Sequence, residues 1–464
     1  MDEVRRISRR SFLRAIGIVG GATVLAACTP ATPQVVEKEV TVEVEKVVKE
    51  TVVVEKPVVP SRSEISGTVS MWAFPLTEND TDAIWNPLIA RFNESYPNIE
   101  VNVELLPWAG RREKMMTAFA AGTPPDMAYV NTDTISLFGM NDVLIPLDDI
   151  IPEEVWSDIF GNLLAGLSWE GKKLMYPTLL IGEGYLYNKG LFQEVGANPD
   201  KAPETWDDLR TLGELGKAKN LYLTRQYSSD WDTFVQWVWQ AGGNIFNPEV
   251  TRVLMTTDPV KEALSFLKEF FVNGWVPKEG ATASAAEQTQ AATSVNYWIA
   301  GKQLLSDQSN ANITTNTSSQ NPDIQWGICP VFKNKRQVTV GGAGCWGMFK
   351  GAKHPETTKE WLLWLIGPEP QGFYCSVSGF APARKASWNY WAVAPGPKAF
   401  YEIRMPFLEM NQDTNYFYNE SATVTGPYFQ AVVLEKMSVD EALQRAQEEM
   451  QAMVDEWNAK RKQG

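Results

Sequence analysis

The stretches G-T-V-S-M-W-A-F (67–74), P-N-I-E-V-N-V-E-L-L (97–106) and P-D-M-A-Y-V-N-T-D (125–133) decide the fold. Each opens as a strand, with apolar residues repeating at period two or in a short run. The segments between them, about 83–96 and 111–121, repeat their apolar residues at helical spacing. Strands alternating with helices of that length predict β-α-β units and a mostly parallel sheet. Ligands of such sheets sit beyond the carboxyl ends of the strands, which points to Trp72, Phe74 and the N-T-D turn at 131–133.

Further along, Y-P-T-L-L-I-G-E-G-Y-L-Y (176–187) reads as a second βα region. Thr205 can cap the helix that begins T-W-D-D-L, with Asp208 three residues on, where a carboxylate suits free amides. W-D-T-F-V-Q-W-V-W-Q-A-G-G (231–243) sets Phe234, Val235 and Val238 on one stripe and ends in a Gly-Gly stop. T-D-P-V-K-E-A-L-S-F-L-K-E-F-F (257–271) predicts a helix opened by an Asp cap and a first-turn proline. Residues 310–322 read as a polar loop, and 428 to the C-terminus as helix interrupted near 437–440.

The N-terminus has a different character. R-R-I-S-R-R-S-F-L-R (5–14) precedes 13 apolar or small residues and then Cys28, too short a run to span a bilayer, which takes roughly 20 residues. S-R-R-S-F-L (8–13), with Arg9 and Arg10, resembles the twin-arginine export signal. L-A-A-C (25–28) resembles the lipobox of bacterial lipoproteins, in which Cys28 is lipidated and becomes the first residue. Residues 28–65 form a Val/Glu/Lys-rich tether, read as a spacer, with a self-associating coiled segment as its rival. The expected location is the outer face of the cytoplasmic membrane, with the lipid on Cys28 as anchor.

About 400 residues remain after residue 65 of the 464, more than one ordinary core takes, so two domains are expected. Residues 1–27 hold five arginines against Asp2 and Glu3, so their loss moves the net charge from −14 to −17. That acidity, without a basic block, argues against a nucleic-acid partner. Beyond Cys28 there are Cys329, Cys345 and Cys375, which permit one disulfide without choosing its pair. A single histidine, His354, rules out a multi-histidine metal site, and no cofactor is expected.

Taken together, a series of stretches resembles the extracellular solute-binding lipoproteins of bacterial ABC importers, in the large sugar-binding group that includes maltose-binding protein. They include L-I-A-R-F-N-E-S-Y-P-N-I-E-V-N-V from Leu88, M-T-A-F-A-A-G-T-P-P-D-M from Met116, Y-N-K-G-L-F-Q-E-V-G from Tyr187, W-Q-A-G-G-N-I-F from Trp239, H-P-E-T-T-K-E-W from His354 and G-F-A-P-A-R-K from Gly379. The resemblance implies an α/β, two-lobed clamp of the periplasmic-binding-protein kind, each lobe a mostly parallel sheet flanked by helices. It places chain crossings near 178–186, 327–332 and 376–383. Lobe one is then 66–180 plus 330–378, and lobe two 185–327 plus 382–464. Such proteins close over a small solute, here expected to be a sugar, pass it to membrane permease subunits, and catalyse nothing.

A sugar offers hydroxyls at its rim and C–H patches on its faces, so its site combines flat aromatics with carboxylates, amides and arginine. By family position the expected ligand-binding residues are Trp72, Asp133, Asp230, Trp231, Trp298, Trp346 and Arg384, with Trp346 placed in a glycine-rich turn. Where sugar binders carry a contacting glutamate this chain has Ile181, and the nearest carboxylate is Glu183. The alternatives are a non-sugar solute (a polyamine, phosphodiester or peptide) imported in the same way, or a secreted glycoside hydrolase using a pair among Asp133, Glu183 and Asp230.

Overall fold

Alternation along β1 (Gly67–Ala73) buries Val69, Met71 and Ala73 and turns Thr68, Ser70 and Trp72 the other way. A computed structural model describes residues 62, 64–283 and 296–461. Arg9, Arg10, Cys28 and the tether up to residue 61 lie outside the described residues.

β1 pairs in parallel with β2 (Ile99–Leu105) on one side and β3 (Met127–Asn131) on the other. Helices Asn86–Asn93 and Arg111–Ala120 make the two crossovers, as the alternating pattern predicts. After a small hairpin, β4 (Ser168–Trp169) and β5 (Lys172–Lys173), comes β6 (Tyr176–Gly182). The chain then leaves this sheet for β7 (Leu186–Asn188), which pairs antiparallel with β8 (Trp326–Ile328). It returns as β9 (Thr339–Met348), antiparallel to both β3 and β6. β10 (Ala381–Pro382) closes one edge against β6, and β11 (Leu408–Glu409) joins the start of β9.

The larger sheet is therefore mixed, where the sequence predicted a mostly parallel one. β9 re-enters from the second sheet at the end where β3 and β6 finish, so it has to run backwards. G-G-A-G-C-W-G lies within this strand and not in a turn. Its glycines answer close packing. A Cβ on Gly344 would lie 1.7 Å from the Tyr129 hydroxyl oxygen, and one on Gly341 would lie 2.1 Å from Leu408 Cδ2.

The second lobe is built on β7, β8 and helices that bury aromatic faces. Trp206 stacks on Phe266 at 4.1 Å, and Trp237 packs on both Phe266 and Phe270. Thr205 forms the predicted reciprocal cap with Asp208 at the head of helix Trp206–Lys217. Helix Asp258–Val272 starts after Thr257, so Asp258 is a first-turn residue and not the cap. The interruption near the C-terminus falls between helices Tyr418–Val433 and Val439–Arg461. The expected polar loop at 310–322 instead contains helix Asn312–Gln320. Its propensity is poor, but burial of Thr314 and Thr317 outweighs propensity.

Two crossings between the sheets share one anchor. Arg404, 1% exposed, donates from Nε to the Glu183 carbonyl at 3.1 Å and from Nη2 to the Cys329 carbonyl at 3.3 Å. Nη1 donates to the Phe400 carbonyl at 2.9 Å, and the Cys329 amide donates to the Tyr185 carbonyl at 2.9 Å. Cys329, Cys345 and Cys375 are each buried and free. Among the described residues no helix is long and apolar enough to cross a membrane. The architecture is a two-lobed α/β clamp.

Candidate functional site: a cleft at the strand ends

β3 and β6 finish, and β9 begins, on the same side of the larger sheet. Asn131, Thr132 and Asp133 from β3 and its turn, Ile181 and Glu183 from β6 and beyond, and Val340, Gly341 and Gly342 from β9 line a cavity of about 170 Å³ there. The facing wall comes from distant segments: Asp232 in the first turn of helix Trp231–Gln240, Gln308, Thr414, and Tyr418 at the start of its helix. The site thus follows the strand-end rule for open α/β sheets.

The charges on the two walls are handled differently. Asp133 accepts from Arg111 Nη2 at 3.1 Å and also from Arg112, both at the start of helix Arg111–Ala120. Among the described residues Glu183 has one side-chain donor, the neutral Gln308 Nε2, at 3.2 Å. Burial, then the nearby Asp232 and Asp230 carboxylates, push the Glu183 carboxyl up to about 8. Asp232 is pushed up to about 6, chiefly by burial and further by Asp230 and Asp133, against the hydrogen bond from the Tyr418 hydroxyl. Asp230, also raised by burial, caps its helix by accepting from the Thr233 amide at 3.2 Å. The Thr233 hydroxyl lies 2.7 Å from Asp230 Oδ2 and 2.8 Å from Gln308 Oε1, and the Tyr185 hydroxyl donates to Gln308 Oε1 at 2.8 Å. One network therefore orients Gln308 towards Glu183.

Of the seven expected contact residues, Asp133 lines this cavity and Asp230 stands behind Asp232. The others lie elsewhere. Trp72, on the outer-facing parity of β1, carries Lys114 over its ring at 4.9 Å and borders a separate surface groove with Asp126 and His354. Trp231, 4% exposed, packs on Phe234. Trp298 is 1% exposed, its indole N–H donating to Thr317 Oγ1 at 2.7 Å. Trp346 is fully buried between Trp85, Tyr129 and Tyr374. Arg384 braces Asp158 at 2.7 Å and the Ile366 carbonyl at 2.8 Å.

The residues that sequence reasoning missed are Asp232, Gln308, Thr414 and Tyr418. Asp232 could have been found, because it falls off the apolar stripe of its helix. Gln308, Thr414 and Tyr418 sit in unremarkable local contexts and reach the cleft only through the second lobe.

The two-lobed clamp with a polar cleft at its strand ends is also what comparison with known proteins finds. Residues 77–372, well over half of the chain, match the family described as bacterial extracellular solute-binding protein, and the chain belongs to that family. It is accordingly an extracellular binding protein and not an enzyme. The diacetylchitobiose binding protein DasA of Streptomyces coelicolor is 23% identical over 325 residues, 69% of this chain and 74% of that protein. Among solved structures, the sugar-binding protein MalE of Xanthomonas citri superposes with a TM-score of 0.74 at 19% identity, over 86% of this chain and all of the other. The cyclic α-maltosyl-1,6-maltose binding protein of Arthrobacter globiformis does so with a TM-score of 0.71 at 19% identity, over 84% and 99%.

Proposed function

We propose that this protein is the solute-binding component of an ABC importer, capturing a saccharide between its lobes and delivering it to permease subunits in the membrane. The observation that carries the reading is the cleft itself, with Asn131, Asp133 and Glu183 on one wall facing Asp232, Gln308 and Tyr418 on the other. Carboxylates and amides match sugar hydroxyls, while Ile181, Val340 and the Tyr418 ring offer surface for C–H patches. The saccharide binders among the similar proteins support the same substrate class. The lobes we assign are 66–180 plus 330–378 and 185–327 plus 382–464. The passage of the chain from one sheet to another between β6 and β7 supports the first boundary. At the last boundary, by contrast, β10 still pairs with β6 and Arg384 with Asp158, on the first lobe's side. Of the predicted contacts we retain Asp133 at the ligand and Asp230 as a support for Asp232.

In a thermal-shift screen against mono- and oligosaccharides, polyamines and phosphodiesters, a saccharide is expected to raise the melting temperature. A ligand that binds only the native state at 100 times its Kd stabilises it by about 2.7 kcal/mol. A rise with phosphodiesters alone would discard the saccharide.

For the N-terminus we propose export through the Arg9-Arg10 signal, cleavage before Cys28, and a lipid on Cys28 that tethers the protein at the outer face of the membrane. Cys28→Ala is expected to move the protein from the detergent phase to the aqueous phase. Retention of the variant in the detergent phase would refute the anchor.

A further inference from the structure

Glu183 and Asp232 stand on opposite walls of the cleft, and among the described residues neither has a cationic partner. The described lining residues include no lysine, arginine or histidine. Asp133 is matched by Arg111 and Arg112, whereas Glu183 and Asp232 receive only neutral donors, from Gln308 and Tyr418. We propose that the cleft takes a saccharide bearing a free, protonated amino group, with its ammonium seated against Glu183 and Asp232 and its hydroxyls on the Asn131–Asp133 wall. This rests on the cleft being the solute site.

The reasoning is electrostatic and spatial. Asp232 and Asp230 raise the proton affinity of Glu183, and Asp230 and Asp133 raise that of Asp232. The cations nearby are committed elsewhere. Arg404 reaches Glu183 only at its backbone carbonyl, and Arg225 is paired with Asp307. Tyr185, Tyr401 and Tyr418 are held neutral, their hydroxyls raised chiefly by burial. Glu183, Asp230 and Asp232 are each partly buried, so an ammonium placed between two of their carboxylates is stabilised more than it would be in bulk water. On the wall that also carries Glu183, Asn131 Oδ1 and Asp133 Oδ1 are buried acceptors without a donor among the described residues, positioned for the hydroxyls of a ring.

A neutral sugar would use the same wall differently, accepting a hydrogen bond from a protonated Glu183, and the two modes are separable. The test is isothermal titration of the full protein at pH 7 with three disaccharides of one linkage. Chitobiose carries free amines, N,N′-diacetylchitobiose carries them acetylated, and cellobiose has hydroxyls in their place. Spermidine is the fourth probe. Chitobiose is expected to bind at least about tenfold tighter than the other two disaccharides, and its heat is expected to depend on the buffer because Glu183 releases a proton. Glu183→Gln is expected to erase the preference. Equal or tighter binding of cellobiose or diacetylchitobiose would overturn the inference and leave the saccharide reading standing. Binding of spermidine alone would overturn the saccharide reading while keeping an ammonium site at Glu183 and Asp232. Binding of none of the four would overturn the inference, and the broader saccharide screen would then decide the reading beneath it.

Discussion

The melting temperature of the ligand-free protein is expected to fall as the buffer is raised from pH 5 to pH 8.5, and Glu183→Gln is expected to remove most of the fall above pH 6. In the folded protein the Glu183 carboxyl stands at about 8, pushed up first by burial and then by Asp232 and Asp230. In the unfolded chain it returns to about 4.3. Between those values the folded state holds a proton that the unfolded state has released, so rising pH favours unfolding. The stabilisation is complete below the unfolded value and is lost as pH climbs through the folded one. Asp232 and Asp413, each pushed up to about 6 with burial as the largest cause, act in the same direction but are spent by about that pH. The interval from pH 6 to pH 8 therefore belongs chiefly to Glu183. One pKa unit corresponds to about 1.4 kcal/mol. Because the carboxyl opens onto the cleft, the whole effect is on the order of 3 kcal/mol. Melting curves at half-unit intervals for the protein and its Glu183→Gln variant are the check. A flat profile between pH 6 and pH 8 in both would contradict the electrostatics of the cleft.

Removing the guanidinium of Arg404 should cost still more. It is buried without an ion pair among the described residues, and it donates to carbonyls at two separate interlobe crossings. Burial lowers its proton affinity, to about 10, without discharging it at neutral pH. Arg404→Met keeps much of the volume but leaves the Glu183 and Cys329 carbonyls without this donor. A buried group left unsatisfied costs about 1–3 kcal/mol, so a loss of about 3 kcal/mol or more is expected in a urea titration. Gly184→Ala attacks the same knot from the other side, because its Cβ would lie 1.7 Å from Arg404 Nη2. The planar fork cannot yield without breaking its carbonyl bonds, so this variant is expected to be destabilised as well. Stabilities within about 0.5 kcal/mol of the parent for both variants would show that Arg404 does not hold the crossings together.

The sequence by itself determined the β-α-β opening, the capped helix at Thr205, the family and the general position of the cleft. All of these rest on local period, local capping chemistry or ordered motifs along the chain. The place of Asp133 on the cavity wall was also legible, because a turn directly after β3 is tied to the end of that strand. The tryptophans are where it failed. Large aromatics suit a sugar platform and a core equally well, and residue type does not distinguish them. Packing settled the matter by burying Trp231, Trp298 and Trp346 and by turning Trp72 to the outer parity of β1. The reversed direction of β9 was equally hidden, because it depends on where the chain re-enters after an excursion through the other lobe. Only the tertiary structure could set Asp232, Gln308 and Tyr418 opposite Glu183, since that wall is assembled from three segments far apart along the chain. The unmatched charge of the cleft belongs to that assembly, for a carboxylate acquires a raised proton affinity only from the burial and neighbours that folding supplies.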